Sequence, residues 1–207
     1  MVHNLISSQA VPEIIAENGG TAVRTRVGHS FIKARMAETG AVFGGEHSAH
    51  YYFRDFWGAD SGMLAAMHVL AALGEQSKPL SALMGVYDRY AASGEINSTV
   101  ADQGERTRAV LDAFADEIQS TDELDGVTVQ LDSGAWFNLR ASNTEPLLRL
   151  NVEAAGDADL VASNHLFGDW RANDYGLRET PIIFQPSRLF YAASPGLDAH
   201  ILERIDA

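Results

Sequence analysis

Short strand and helix patterns alternate between Val2 and Phe43, and this alternation is the strongest constraint on the fold. Helices that connect consecutive strands carry the chain back along the sheet, so that the strands pair in parallel. The glycine pair Gly19-Gly20 marks the end of the first helix pattern. The sequence therefore predicts an α/β lobe with strands at residues 2–6, 21–27 and 41–43 and helices at residues 11–17 and 31–38.

Three more helix patterns follow. Asp60-Ser61 is a suitable N-cap for a strongly apolar helix that ends at Leu73. His68 lies among the apolar residues of this helix, where we expect it to pack and not to catalyse. A second helix is predicted over residues 79–91, because Pro79 suits a first turn. A third is predicted over residues 103–119 from an apolar stripe of Val110, Leu111, Phe114 and Ile118.

The last strand patterns belong to a second lobe. Alternating apolar residues predict strands at residues 127–131, 135–139 and 147–152, which with the third helix form an α+β lobe. The segment Ser93-Gly-Glu-Ile-Asn-Ser-Thr reads as a boundary between the lobes. We therefore expect an α/β domain over residues 1–93 and an α+β domain over residues 94–156.

The tail over residues 157–207 has a different character. It carries Trp170, Tyr175 and scattered prolines without a sustained period. A divergent extension, a shifted reading frame and a disordered end all fit this composition. The sequence does not choose among them.

A polar turn interrupts the strands of the second lobe at Arg140-Ala-Ser-Asn-Thr. Arg140, Ser142, Asn143 and Thr144 offer one guanidinium, two hydroxyls, an amide and backbone N–H groups. A phosphate accepts this mixture of donors well. Ordinary turn chemistry with a solvated arginine explains the same residues, so the two readings stand side by side.

A second polar loop, Gly-Gly-Glu-His-Ser-Ala-His, follows the strand at residues 41–43. Glu46, Ser48 and His50 occupy alternate positions and share one face if the segment is extended. A carboxylate, a hydroxyl and an imidazole together suit the vicinal hydroxyls of a sugar and a nearby anionic group. Zinc is disfavoured at Glu46, His47 and His50, because the His-Glu-x-x-His order and a cysteine partner are missing.

Together the two loops resemble the α-D-phosphohexomutase family, and more narrowly its bacterial phosphomannomutase/phosphoglucomutase branch. The resemblance runs from His3 to about Ala155 and includes Arg26-Val-Gly-His-Ser-Phe-Ile-Lys, Asp55-Phe-Trp and Ala91-Ala-Ser-Gly-Glu-Ile-Asn. It implies an N-terminally incomplete third mutase domain followed by the fourth, C-terminal domain. A whole enzyme of this kind is about twice as long as this chain.

The resemblance also implies roles for individual residues. The family's sugar-specificity loop falls on Glu46 and Ser48, which would bind the 3- and 4-hydroxyls. The histidines that contact substrate or its phosphate fall on His50 and His29. The loop that grips the phosphate that is not being transferred falls on Arg140, Ser142, Asn143 and Thr144.

Two functional loops of the family have no counterpart in this sequence. One carries the phosphoserine, in a Thr-Ala-Ser-His-Asn-like segment, and the other carries the Mg²⁺ ligands, as Asp-x-Asp-x-Asp-Arg. The nearest acidic string, Asp157-Ala-Asp159, lacks the third aspartate and the arginine. The resemblance therefore implies Mg²⁺ as the family's cofactor, with its ligands absent from this chain, and no residue here is assigned a covalent catalytic role.

Composition limits the partners. A net charge of −13 argues against nucleic acid. An acidic chain that binds sugar phosphates needs local positive charge, and the candidates are Arg24, Arg26, Lys33, Arg140 and Arg149. Without cysteine the chain has no disulfide, and without a basic leader or a long apolar run we expect a cytoplasmic protein that has no membrane partner.

The resemblance implies a protein that binds mannose or glucose 1- and 6-phosphates for intramolecular phosphoryl transfer between the two positions, and we expect this chain alone to be inactive. The sugar loop is compatible with both hexoses. The alternatives are a noncatalytic module that pairs with a separate N-terminal mutase half and a poorly folded gene remnant.

Overall fold

Two five-stranded sheets organise residues 1–156, the part of the chain that this computed structural model describes. In the first sheet the strand order is β2 (23–25), β1 (2–4), β3 (43–45), β4 (51–53) and β5 (59–60), and in the second it is β6 (90–99), β10 (147–155), β9 (136–141), β8 (127–131) and β7 (118–122). We call the first sheet with helices α1 to α4 the first lobe, and the second sheet with α5 the second lobe. The predicted tail at residues 157–207 lies outside the described residues.

The elements follow the chain in this order. The first lobe consists of β1 (Val2–Asn4), α1 (Ala10–Glu17), β2 (Val23–Thr25), α2 (His29–Thr39), β3 (Phe43–Gly45), β4 (Tyr51–Phe53), β5 (Ala59–Asp60), α3 (Gly62–Gly74) and α4 (Leu80–Met84). The second lobe consists of β6 (Tyr90–Thr99), α5 (Gln103–Ala113), β7 (Ile118–Asp122), β8 (Val127–Leu131), β9 (Trp136–Ala141) and β10 (Leu147–Ala155).

The first lobe confirms the predicted α/β architecture. β1 pairs in parallel with both β2 and β3, and α1 and α2 form the connections between these strands. β4 and β5 extend the sheet by antiparallel pairing, which the sequence did not predict. A small core beneath α2 contains Val2, Ile32, Met36, Ala41 and Tyr52.

The second lobe is an antiparallel sheet with one apolar and one polar face. Residues that alternate along β8, β9 and β10, including Val129, Phe137 and Val152, form the apolar core, against which α5 packs through Val110 and Leu111. The opposite face carries the intervening polar residues and is turned toward the first lobe. The predicted α+β character of this lobe is confirmed.

Two predicted helices are too long. α4 ends at Met84, and Tyr90, which the 79–91 helix would have included, begins β6. α5 ends at Ala113, and Ile118 lies in β7 opposite Leu131. In both cases the apolar spacing predicted a helix, but the backbone groups of these residues form hydrogen bonds with another strand. The segment at residues 93–99, read as a boundary, forms the greater part of β6 and reaches its end.

Polar contacts join the two lobes at three places. At the first, Arg89 donates to Glu13 and Glu17, and Tyr90 donates to Glu13. The hydrogen bond to Glu13, with partial burial, raises the pKa of Tyr90 to about 12. At the second, the Gln9 N–H donates to Glu153. The third place lies between β2 with the β2–α2 connection and the hairpin of β7 and β8.

No helix within residues 1–156 has the length and apolar character needed to cross a bilayer.

Substitution of Gly126 tests how tightly the β7–β8 turn packs on β9. Its φ is +68°, and an added Cβ would lie 2.2 Å from the Leu139 carbonyl oxygen. We expect Gly126→Ala to lower the free energy of unfolding by roughly 3 kcal/mol or more, measured by urea denaturation. Gly134→Ala is the control, since φ is +85° there with open space around the Cβ, and only strain of about 1 kcal/mol is expected. Equal losses in the two variants would contradict this packing.

Candidate functional site

The carboxyl edge of the parallel strands gathers the candidate residues of the first lobe. β1, β2 and β3 end at Asn4, Thr25 and Gly45, and the segments that follow carry Ser7, the turn before α2 and the predicted sugar loop. Ligands of open α/β sheets bind outside this edge, where the loops of neighbouring strands face one another. The sheet therefore places the predicted sugar-binding residues where such folds hold ligands.

The sugar loop is a tight turn between β3 and β4. The Glu46 N–H donates to the His50 carbonyl at 2.9 Å, and the Ala49 N–H donates to the Glu46 carbonyl at 3.0 Å. Ala49 has a φ of 64°, so the segment is not extended. The single face that we expected for an extended segment therefore does not form: Glu46 is buried, whereas Ser48 and His50 are exposed.

The Glu46 carboxylate joins the sugar loop to the start of α2. It accepts a hydrogen bond of 2.6 Å from the Tyr52 hydroxyl and one of 3.3 Å from the Gly28 N–H. Burial, reinforced by this carboxylate, raises the pKa of Tyr52. His29 is the residue after Gly28 and the first residue of α2. The structure thus brings the loop of Glu46 together with the turn of His29.

His50 has a partner that the sequence reasoning missed. Its Nδ1 lies 3.1 Å from the Asp60 carboxylate at the end of β5, and both side chains are about half exposed. The hydrogen bond with His50 lowers the pKa of Asp60. The apolar stretch at Tyr51–Phe53 was the available signal, because a strand there makes the hairpin that brings β5 alongside.

Asn4 is a second residue that the sequence reasoning missed. Its Oδ1 accepts hydrogen bonds from the Ser7 hydroxyl at 2.8 Å and from the His47 N–H at 3.4 Å. The side chain is fully buried, and within residues 1–156 its Nδ2 has no hydrogen-bond partner. Asn4 therefore supports the sugar loop from the end of β1.

Arg140 does not lie in a turn, as we expected, but in β9, and Ser142 to Pro146 form the loop that follows. It lies opposite Arg149 of β10, and side chains at directly opposed positions share a face. The two guanidinium groups approach one carboxylate, that of Glu95 in β6, at 3.4 and 3.3 Å. The local sequence does not show which strands pair. In the structure this pairing places Arg149 beside Arg140, with Glu95 between the two guanidinium groups.

The loop after Arg140 is held by its own hydrogen bonds. The Ser142 N–H donates to the Leu147 carbonyl at 2.8 Å, and the Thr144 N–H lies 3.4 Å from the Ser142 hydroxyl. Gln103, at the start of α5 and thus outside the loop, donates from its side-chain amide to the Ser142 and Leu147 carbonyls. Asn143 and Thr144 are exposed. This geometry is compatible with both readings of the loop, ordinary turn and anion site.

Within residues 1–156, no group of three or more acidic or histidine side chains is arranged to hold a metal ion. The described residues therefore do not fit Mg²⁺, and we derive no step through it. Asp157 and Asp159 lie outside the described residues. Mg²⁺ remains an expectation from the family alone.

The Tyr52–Glu46 hydrogen bond gives a direct test of this loop. Tyr52→Phe removes a buried donor to a carboxylate, and we expect it to lower the free energy of unfolding by about 1.5–3 kcal/mol in urea denaturation. Tyr51→Phe, at the partly exposed neighbouring position, is the control and is expected to change stability by less than about 0.5 kcal/mol. If Tyr52→Phe costs no more than its control, the hydrogen bond does not stabilise the loop.

Comparison with known proteins identifies both lobes. The profile of "Phosphoglucomutase/phosphomannomutase, alpha/beta/alpha domain III" matches residues 1–90, and that of the "Phosphoglucomutase/phosphomannomutase, C-terminal domain" matches residues 95–163. The phosphomannomutase of Methanocaldococcus jannaschii is 46% identical over 154 residues, which cover 74% of this chain and 34% of that protein. The phosphomannomutase of Escherichia coli K12 is 42% identical over 165 residues, which cover 78% of this chain and 35% of that protein.

A solved structure of a phosphoglucomutase/phosphomannomutase family protein from Burkholderia thailandensis has a similar fold. It superimposes with a TM-score of 0.67 at 28% identity, over 83% of this chain and 37% of that one. The chain thus spans about a third of the length of the relatives that it matches. Two adjacent domain profiles, relatives above 40% identity and a shared fold place this chain in the phosphoglucomutase/phosphomannomutase family.

Proposed function

We propose that this chain supplies the hexose-phosphate-binding surface of a phosphomannomutase or phosphoglucomutase. The reaction of the complete enzyme would be reversible phosphoryl transfer between the 1- and 6-positions of a hexose phosphate. In this proposal the residues of the chain bind and orient the sugar and stabilise charge, and the covalent step belongs to the rest of the family's fold.

The pair of guanidinium groups in the second lobe is the observation that carries the proposal. Arg140 and Arg149 share the single carboxylate of Glu95, so the cluster keeps a formal charge of +1 within an acidic chain. The Nε atoms of both arginines are buried and have no hydrogen-bond partner within residues 1–156. The two side chains are 15% and 28% exposed, so an anion can reach the guanidinium groups, which outnumber their carboxylate partner. Phosphate matches the planar fork of arginine.

The first lobe supports the sugar end of the proposal. Each oxygen of a carboxylate can accept two hydrogen bonds, so Glu46 retains acceptor capacity beside Tyr52 and Gly28. Ser48 and His50 are exposed next to it and offer a hydroxyl and an imidazole. We propose Glu46 and Ser48 as ligands of the sugar hydroxyls, with His29 and His50 as ligands of the sugar or its phosphate.

The phosphate assignment is tested by Arg140→Ala. We expect the affinity for mannose 1-phosphate, measured calorimetrically on the purified chain, to fall by roughly 10- to 100-fold, since one charged hydrogen-bond donor contributes about 1.5–3 kcal/mol. Arg108→Ala is the matched control, because Arg108 is exposed on α5, which covers the opposite face of the sheet. Unchanged affinity in Arg140→Ala would remove the phosphate assignment. A similar loss in Arg108→Ala would show that only net charge matters.

A second candidate function, a noncatalytic module that pairs with the remainder of a mutase, is favoured by the exposure of α3. The helix carries no Asp, Glu, Lys or Arg, and only Leu73 is buried. Met63 and Met67 lie one turn apart and are 77% and 59% exposed. A helix without charged residues normally packs on more than one side, so we propose that other elements of the mutase fold, on the same polypeptide or on another, cover it.

Pairing is tested by mixing the chain with a polypeptide that comprises the complementary part of a phosphomannomutase relative. We expect a 1:1 complex in sedimentation velocity and its loss in the double variant Met63→Lys, Met67→Lys, since two charges would be buried without partners. Leu124→Lys, at an exposed apolar position of the second lobe, is the control and should leave the complex intact. Failure of the unmodified chain to form a complex would reject this candidate.

A further inference from the structure

We propose that Asp125 is a positioning residue that holds the His29 turn of the first lobe in register with the Arg140 strand of the second. This inference rests on the proposed function, because it assigns a shared ligand to the two segments. Asp125 lies in the turn between β7 and β8, and sequence reasoning gave it no role. The turn holds one other acidic residue, Glu123.

The side chain of Asp125 contacts the first lobe through a backbone donor. Its Oδ2 accepts a hydrogen bond of 3.1 Å from the Val27 N–H, and its Oδ1 lies 3.8 Å from Arg26 Nη2. The side chain is only 15% exposed. Val27 is followed by Gly28, whose N–H donates to Glu46, and then by His29. One carboxylate therefore fixes the short segment that leads into two proposed ligand-binding residues.

The backbone of Asp125 is fixed to the second lobe. Its carbonyl accepts a hydrogen bond of 3.2 Å from Asn138 Nδ2, and Asn138 is fully buried. Asn138 lies two residues before Arg140 and therefore on the same face of β9. The next residue, Gly126, packs so closely on β9 that an added Cβ would lie 2.9 Å from the Arg140 Cα. Asp125 thus connects the two segments directly: its side chain binds the backbone that leads to His29, and its carbonyl binds Asn138 in the strand of Arg140.

The neighbouring ion pair between the lobes does not fix the two segments as strictly. Arg24 contacts Asp122 at 3.1 Å and donates to the Thr128 hydroxyl at 3.1 Å, but the Arg24 and Asp122 side chains are 33% and 49% exposed. Solvent screens an ion pair that is this exposed, and the long side chain of Arg24 can adapt to small shifts between the lobes. A backbone N–H has no comparable freedom, so the hydrogen bond of Asp125 determines the relative position of the two segments more strictly.

This arrangement predicts that two kinds of ligand depend differently on Asp125. Inorganic phosphate can be bound by the Arg140 cluster alone, within the second lobe. A hexose phosphate that also reaches the sugar loop requires both lobes at the correct spacing, and loss of that spacing lowers affinity through lost preorganisation. Removing the Asp125 side chain should therefore weaken binding of the hexose phosphate and leave binding of inorganic phosphate unchanged.

The test compares dissociation constants of the full chain for inorganic phosphate and for mannose 1-phosphate by calorimetric titration. In Asp125→Ala we expect affinity for mannose 1-phosphate to fall about tenfold and affinity for inorganic phosphate to stay within about twofold. Asp125→Asn keeps an acceptor oxygen for the Val27 N–H and should recover most of the loss. Glu123→Gln, an exposed position in the same turn, is the matched control for charge and should behave like the unmodified chain.

The outcomes distinguish this inference from the function on which it rests. If the unmodified chain binds neither ligand, the proposed function fails, and the inference falls with it. If the unmodified chain binds mannose 1-phosphate and Asp125→Ala binds it equally well, the inference alone is wrong. A parallel loss of affinity for both ligands in Asp125→Ala, at an unchanged melting temperature, would also overturn it, because Asp125 would then not act through the spacing of the two lobes.

Discussion

A buried carboxylate at the contact between the lobes anchors the arrangement. Glu153 in β10 is 3% exposed, and its Oε2 accepts hydrogen bonds of 2.9 Å from the Gln9 N–H and 2.7 Å from Trp136 Nε1. A charge so deeply buried is tolerated only when donors satisfy it, and one of these donors comes from the other lobe. The polar face of the second sheet therefore requires the first lobe, and the proposed phosphate and sugar residues are parts of one folded unit.

The pairing of the arginines is consistent with the proposed anion site in an acidic chain. Arg24 is paired with Asp122 at the end of β7, and Arg26 with Asp125 in the β7–β8 turn, so both arginines serve the contact between the lobes. Arg140 and Arg149, in contrast, share one carboxylate and keep excess positive charge on the polar face of the sheet. The overall charge of −13 thus does not describe the local field, which depends on which cations have acidic neighbours.

The sequence predicted those features that depend on short-range patterns. The parallel strands β1, β2 and β3 followed from the alternation of strand and helix, and β8 was predicted with its observed bounds. β6 was missed because its residues satisfy their hydrogen bonds with β10, whose paired residues lie 48 (Thr99 and Leu147) to 65 (Tyr90 and Ala155) positions away. The partners of the candidate site residues were missed for the same reason. Glu95 reaches Arg140, and Asp60 reaches His50, only after the strands have paired.

The central claim is that residues of both lobes bind one hexose phosphate, and an NMR titration of the ¹⁵N-labelled chain with mannose 1-phosphate tests it most directly. We expect the amides of Gly28, Gly45 and Ser48 in the first lobe and of Ser142 and Thr144 in the second to shift along one binding curve with one dissociation constant. Shifts confined to a single lobe, or two separate dissociation constants, would contradict a shared site.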